Sequence, residues 1–174
     1  MEQLVVEAIE RDDISRMQTL RREALATAPF AFGASAEGDS TLDEAFVARS
    51  IADASRSVIL LALGDGRPVG MVGAFRQPQH KSRHRAQIWG MYVSPSWRHR
   101  GVGEQLLAAV LKRVQSWPDV KQVELCVTSG ARGARRLYER AGFRVWGCQP
   151  AALRWKGASV DEYHMVLRID ASER

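Results

Sequence analysis

The sequence predicts an α/β fold, a sheet of about seven strands flanked by about four helices, in one domain spanning residues 1–174. Two observations carry this. Stretches with the two-residue period of strands and stretches with helical period follow one another as strand, two helices, three strands, helix, strand, helix, two strands. A chain of 174 residues, 45% hydrophobic and 26% charged, can bury one full core and is too short for two comfortable ones.

Residues 4–9 alternate apolar side chains as a first strand, and Asp12-Asp13 offers carboxylate oxygens to cap the helix behind it. Ile14, Met17, Leu20, Ala24 and Leu25 recur at helical spacing, and Pro29 stops that helix. Residues 29–38 are small, apolar and irregular, as in a pocket-lining loop. Thr41 with Glu44 three residues on reads as a capping box for a short helix through Phe46, Val47 and Ile51. Residues 58–63 and 68–75 flank Gly64-Asp65-Gly66 and predict two antiparallel strands joined by a tight turn. The basic run from His80 to Arg85 is the next hairpin loop. It is either a solvated segment or the flank of an anionic ligand.

Residues 87–93 form a strand closed by Pro95. Val102, Leu106, Leu107, Val110, Leu111 and Val114 make the apolar stripe of a helix that ends by Pro118. Residues 120–127 are a strand, residues 132–141 a helix stopped by Gly142, and residues 144–149 and 163–169 the last two strands around a loop at Lys156-Gly157-Ala158.

No apolar run reaches the roughly 18 residues of a membrane span, and the N-terminus lacks a signal-peptide pattern. Cys126 and Cys148 are too few for a disulfide framework and have no partner at metal-ligand spacing, so a reducing cytoplasm and no metal are expected. The net charge of +5 favours an anionic ligand. Because that charge is spread along the chain with no nucleic-acid-reading motif beside it, a basic nucleic-acid-binding module is the disfavoured alternative.

The stretch Arg98-His99-Arg100-Gly101-Val102-Gly103-Glu104 lies between a strand end and a helix start. The first N–H groups of that helix lack partners within it, and the aligned peptide dipoles place partial positive charge there. Glycines let a phosphate approach the backbone, and the arginines add charge-assisted hydrogen bonds. A plain tight turn would have the same Gly-x-Gly, so the context decides.

That context resembles the GNAT superfamily of N-acetyltransferases. Its acetyl-CoA signature stands here as Arg98-His99-Arg100-Gly101-Val102-Gly103 after Met91-Tyr92-Val93, and its second signature as Ala134-Arg135-Arg136-Leu137-Tyr138-Glu139-Arg140-Ala141-Gly142-Phe143. The resemblance implies a mixed, mostly antiparallel sheet and transfer of an acetyl group from acetyl-CoA, as co-substrate, directly to a primary amine in a ternary complex. It implies that the Met91, Tyr92 and Val93 backbone pairs with the pantetheine arm. Arg98, His99, Arg100, Gly101, Val102, Gly103 and Glu104 then hold the pyrophosphate. The strand of Met91 must part from the strand of Cys126 to leave a V-shaped slot, for which one β-bulge near Met91 suffices.

Tyr138 is implied as the general acid beside the thioester sulfur, since a phenol of pKa about 10 can serve a thiolate whose thiol has a pKa of about 8.5. The acceptor amine, of pKa about 10.4, is neutral in on the order of one molecule in a thousand at pH 7, so something must take its proton. Cys126 occupies the place where some relatives carry a catalytic Glu. The candidates here are His164, whose imidazole suits a base at neutral pH, Glu124 on the strand of Cys126, Glu162 and Glu37; a water chain is the remaining option. Ala131 stands where many relatives have Asn, which removes one polar contact. A homodimer is common among such proteins, and a non-catalytic acyl-CoA sensor of the same fold is the other alternative.

Overall fold

A computed structural model describes residues 4–169. The elements are β1 (Leu4–Ala8), α1 (Ile14–Thr27), α2 (Glu44–Ile51), β2 (Ser57–Gly64), β3 (Arg67–Arg76), β4 (Arg85–Val93), α3 (Val102–Gln115), β5 (Gln122–Thr128), α4 (Arg132–Arg140), β6 (Arg144–Trp155) and β7 (Ala158–Arg168). They form one seven-stranded sheet in the order β1-β2-β3-β4-β5-β7-β6. Every pairing is antiparallel except β4 with β5. The expected fold class and element order are therefore found.

The unbroken apolar run of β2 follows from burial on both faces of the sheet. Val58, Leu60 and Ala62 meet Val102, Leu106, Leu107 and Val110 of α3 on one side. Ile59 and Leu61 meet Ile14, Met17, Leu20 and Ala24 of α1 on the other. Asp65 and Gly66 both take positive φ, 49° and 77°, the twist-matched geometry of a two-residue hairpin turn between β2 and β3.

Several boundaries differ from the sequence expectation. Asp13 does not cap α1 with its side chain; its carboxylate accepts the Glu10 N–H at 3.1 Å and pairs with Arg16 at 3.0 Å. The cap of α2 is Asp43, which accepts from Ala45 and Phe46 N–H groups, whereas Thr41 lies in a preceding 3₁₀ turn. The final strands are far longer than 144–149 and 163–169. β6 continues through Pro150 because it is an edge strand, where a missing N–H costs the ladder nothing. The register slips between Gln149 and Leu153, and the Asp161 carboxylate accepts the Ala151 N–H of that irregular stretch at 2.8 Å.

One buried interaction has no sequence signature. Arg21 of α1 donates from Nε and Nη2 to Asp39 at 2.8 and 2.6 Å, and its guanidinium lies 4.5 Å from the centre of the Phe32 ring. Both side chains are almost fully buried, so this pair fixes the 29–41 loop on α1. Burial alone would raise the Asp39 carboxyl, but the Thr41 hydroxyl and N–H and the Arg21 charge together hold it below the usual range. A lowered folded-state pKa stabilises the fold above the unfolded carboxyl value of about 3.9, and the contribution is lost as pH falls through the folded value. Asp39→Ala should cost about 3–5 kcal/mol at neutral pH by stranding a buried guanidinium. The loss, read by urea denaturation, should shrink as pH is lowered below about 4.

Candidate active site

The site begins at a defect in the β3–β4 ladder. Met71 pairs with Tyr92 and Gly73 with Trp89, so two residues of β4, Gly90 and Met91, oppose one of β3. This is the bulge expected near Met91. Gly90 has φ +65°, which an L side chain rarely adopts, so a glycine suits the kink. β4 and β5 are paired only from Arg85–Gln122 to Gln87–Glu124. Beyond that rung they part, and the slot opens between residues 88–93 and 125–128.

The far side of β4 is clamped by α1. The Tyr92 hydroxyl donates to the Glu23 carboxylate at 2.9 Å, Thr27 Oγ1 lies 2.8 Å from the same hydroxyl, and Ser94 donates to Glu23 at 2.7 Å. Burial, and secondarily the Glu23 charge, raises the Tyr92 phenol above its ordinary value. Of Tyr92, therefore, the backbone and not the side chain is free for ligand contact, while Met91 and Val93 keep theirs.

An open cleft of about 580 Å³ runs from the slot over the ends of α3 and α4. Met91, Tyr92, Val93, Arg98, His99, Gly101, Val102, Gly103 and Glu104 line it, as expected from the sequence. Arg100 is the member of the expected set outside the lining; its guanidinium lies 5.2 Å from the centre of the Trp97 ring. His99 and Gly101 take φ +61° and +78°, the alternation that gathers N–H groups into an anion-binding concavity. The first α3 N–H to reach a helical acceptor is that of Gln105, to the Gly101 carbonyl. Arg98 Nε donates to the Val93 carbonyl at 3.0 Å, which holds that side chain along the cleft wall.

Sequence reasoning missed the opposite wall. Arg132 and Gly133 at the N-terminus of α4 face the same cleft, so two helix dipoles converge on it. Arg140 also lines it and pairs with Glu104 at 2.8 Å across the mouth. Their signal was the basic character of α4, which the motif alone did not assign. Ala131, at the usual Asn position, is the N-cap of α4 with no side-chain cap bond, and its methyl lines the junction of the cleft with a deeper pocket.

That deeper pocket, a constriction of about 70 Å³, shares Ala31, Met91, Ala131 and Ala134 with the cleft and adds Phe32, Trp89, Gly90, Cys126, Thr128 and Tyr138. Tyr138 packs edge-on against Phe143 with ring centres 6.0 Å apart, and burial pushes its phenol well above the ordinary range. Tyr138 belongs to the α3–α4 core with Val123, Leu125 and Val127. Cys126 alternates with these on β5 and so points to the other face. The pocket thus passes through the sheet where β4 and β5 part, connecting one face to the other.

None of the proton-acceptor candidates His164, Glu124, Glu162 and Glu37 lines either cavity, and they differ in what surrounds them. Cys126 and His164 are register partners on β5 and β7, with Sγ 3.3 Å from Nδ1. Glu162 lies on the same β7 face, and its carboxylate is within 4.8 Å of both groups. Packing of the strand pair, then the Glu162 and Glu124 charges, raise the Cys126 thiol to about 11, so it is a neutral group at pH 7. The Trp146 ring stands 5.3 Å from the His164 ring on the outer side. Glu124 lies at the last paired rung, its carboxylate engaged by Arg85 at 3.3 Å and Gln122 at 2.6 Å, and it lines neither cavity. Glu37 sits in an exposed turn outside both cavities, with its carboxyl lowered by a backbone hydrogen bond and by Ser35. The His80–Arg85 loop is at the opposite end of β4 from Val93, on the order of 25 Å away along the strand, so it does not flank this cleft.

Residues 17–143 match the sequence profile of the Acetyltransferase (GNAT) family. The chain is similar to the L-amino acid N-acetyltransferase AaaT of Escherichia coli (strain K12), 29% identical over 107 residues. That match covers 62% of this chain and spans 65% of the relative's length. A GNAT-family acetyltransferase structure from Streptococcus pneumoniae superposes with a TM-score of 0.84 at 22% identity, covering 96% of this chain and all of the other. A phosphinothricin acetyltransferase from Sinorhizobium meliloti, solved in complex with AcCoA, superposes at 0.82 with 18% identity, covering 95% of this chain and 88% of the other.

Proposed function

Since the chain belongs to the GNAT acetyltransferase family, we propose that it transfers the acetyl group of acetyl-CoA directly to a primary amine. The observation that carries the reading is the continuity of cleft and pocket through the parted strands. A phosphate-bearing arm laid over α3 leads to Tyr138, and an amine can approach the same point from the face of Cys126 and His164. A binding module that only sensed acyl-CoA would not need the second entrance.

In this reading the N–H groups at the starts of α3 and α4, with Arg98 and Arg132, hold the phosphates, and the bulged β4 backbone orients the pantetheine arm. The attacking nitrogen forms a bond to the acetyl carbon as the carbon–sulfur bond breaks. The proton leaves the nitrogen towards His164, directly or through water. The electron pair of the broken bond goes to sulfur, where the Tyr138 hydroxyl donates a hydrogen bond. Because burial raises the Tyr138 phenol, complete proton transfer to a thiolate is uphill, and donation of a strong hydrogen bond is the role the site favours. The base role goes to His164 rather than Glu124, whose carboxylate is already committed to Arg85 and Gln122.

The similarity to an L-amino acid N-acetyltransferase puts free amino acids first in an acceptor panel. Acetyl-CoA mixed with amino acids, aminoglycosides and polyamines should release free thiol with at least one of them. Tight CoA binding with no release for any amine would replace this reading with that of a sensor. His164→Ala should lower kcat by about 10²-fold with little change in acetyl-CoA affinity. Undiminished turnover would remove His164 from the mechanism.

A reducing cytoplasmic setting is part of this reading, supported by Cys126 and Cys148 both being free thiols. Among the described residues no helix is long and apolar enough to cross a membrane. A homodimer is part of it as well, supported by the exposed Val145 and Trp146 on the edge strand β6.

A further inference from the structure

Cys126, Glu162 and His164 offer a thiol sulfur, a carboxylate oxygen and an imidazole nitrogen that all lie within 4.8 Å of one another. We propose that these three side chains form a binding site for a thiophilic divalent cation of the zinc class, reaching the pocket at Cys126.

The geometry that makes the Cys126–His164 hydrogen bond is also close to that of a chelate. Zinc binds thiolate at about 2.3 Å and imidazole at about 2.0–2.1 Å, so two such ligands on a tetrahedral ion stand about 3.6 Å apart. The Cys126 Sγ to His164 Nδ1 separation of 3.3 Å is within a few tenths of that. The ligands come from rigid, hydrogen-bonded strands: Cys126 is the register partner of His164, and Glu162, two residues back on β7, shares the His164 face. No backbone rearrangement is needed to bring them to one point, and ordering costs are small. The donor set of one sulfur, one nitrogen and one carboxylate oxygen suits zinc or cobalt and suits magnesium and calcium poorly.

Charge balance supports the same class. Binding would release the Cys126 proton, and the thiolate with the Glu162 carboxylate would neutralise a divalent ion. Three protein ligands leave a fourth position, and Cys126 itself lines the pocket, so that position is open to water or to a donor atom on a molecule in the pocket. The site would bind its ion independently of acetyl transfer. Its consequence for activity rests on the reading above: an ion on His164 Nδ1 takes a lone pair the base role requires, so occupancy inhibits.

The test uses the full chain, stripped of metal by a chelator and free of CoA and added thiols, titrated with Co²⁺. One equivalent should produce a near-ultraviolet sulfur-to-cobalt charge-transfer band together with visible bands of tetrahedral intensity, and Zn²⁺ should displace both. Cys126→Ser should abolish the charge-transfer band. His164→Ala and Glu162→Gln should each weaken binding by at least about tenfold. Cys148→Ser, which changes the other free thiol, should leave the titration unaltered. Absence of a charge-transfer band in the unmodified protein would overturn the proposal, as would a band that survives Cys126→Ser or vanishes in Cys148→Ser. Circular dichroism of each variant separates loss of the site from loss of the fold. Because the readout is spectroscopic, a protein that binds Co²⁺ but transfers no acetyl group would contradict only the catalytic reading.

Discussion

Tyr138→Phe should lower kcat by about 10²-fold while changing the acetyl-CoA dissociation constant by less than about threefold. Tyr138 is buried against Phe143, so phenylalanine keeps the ring, its edge-on contact and the packing of α4 on the sheet. Only the hydroxyl is removed, from the pocket where the two faces of the sheet communicate. A donor aimed at charge that develops on sulfur contributes chiefly in the transition state, so its loss appears in kcat and not in ground-state binding. Parallel losses in kcat and in binding would mean that Tyr138 shapes the pocket. Unchanged turnover would remove it from the chemistry.

Gly101→Val should weaken acetyl-CoA binding by about 10–10²-fold. Gly101 sits at the N-cap of α3 with φ +78°, where a β-branched residue costs about 1–3 kcal/mol in strain. A Cβ built there meets no protein atom within 4 Å, so the new side chain projects into the open cleft that the phosphates would occupy. Strain and obstruction act together on ligand binding, whereas the fold suffers only the strain. Gly103→Ala is the informative comparison. Its Cβ would meet the flexible Leu137 Cδ2 at 3.3 Å, a contact that a small side-chain shift relieves, so affinity should fall by less than about fivefold. Isothermal titration with acetyl-CoA measures both. Full affinity in Gly101→Val would place the phosphates elsewhere.

The cofactor side of the site was legible from the sequence because it is built from local signals. A helix start with two glycines and flanking arginines constrains its own backbone, and of residues 98–104 all but Arg100 line the cleft. The bulge was legible as a requirement of the slot, although the residue that makes it possible is Gly90. The amine side was legible only as a set of candidates, since their partners depend on register between distant strands. Glu124 and Cys126 share a face of β5, yet the short parallel pairing with β4 gives Glu124 to Arg85, while pairing with β7 gives Cys126 to His164. Arg21 and Asp39 are 18 residues apart in a helix and an irregular loop, a pairing no periodicity announces. The length of β6 beyond residue 149 was not legible either. Proline ends a central strand but not an edge strand, and only the sheet order reveals which β6 is.

The central claim is direct passage of an acetyl group between two ligands in one continuous slot, and a quenched single-turnover reaction tests it most directly. Enzyme in excess over acetyl-CoA is mixed with a reactive L-amino acid, and free CoA, N-acetylated product and the intact protein mass are followed together. The account predicts that free CoA and acetylated amine appear at the same rate in equal amounts, with no acetyl adduct on Cys126 or elsewhere on the chain. Release of CoA ahead of product with a transient acetylated protein, or CoA release with no acetylated amine, would contradict it.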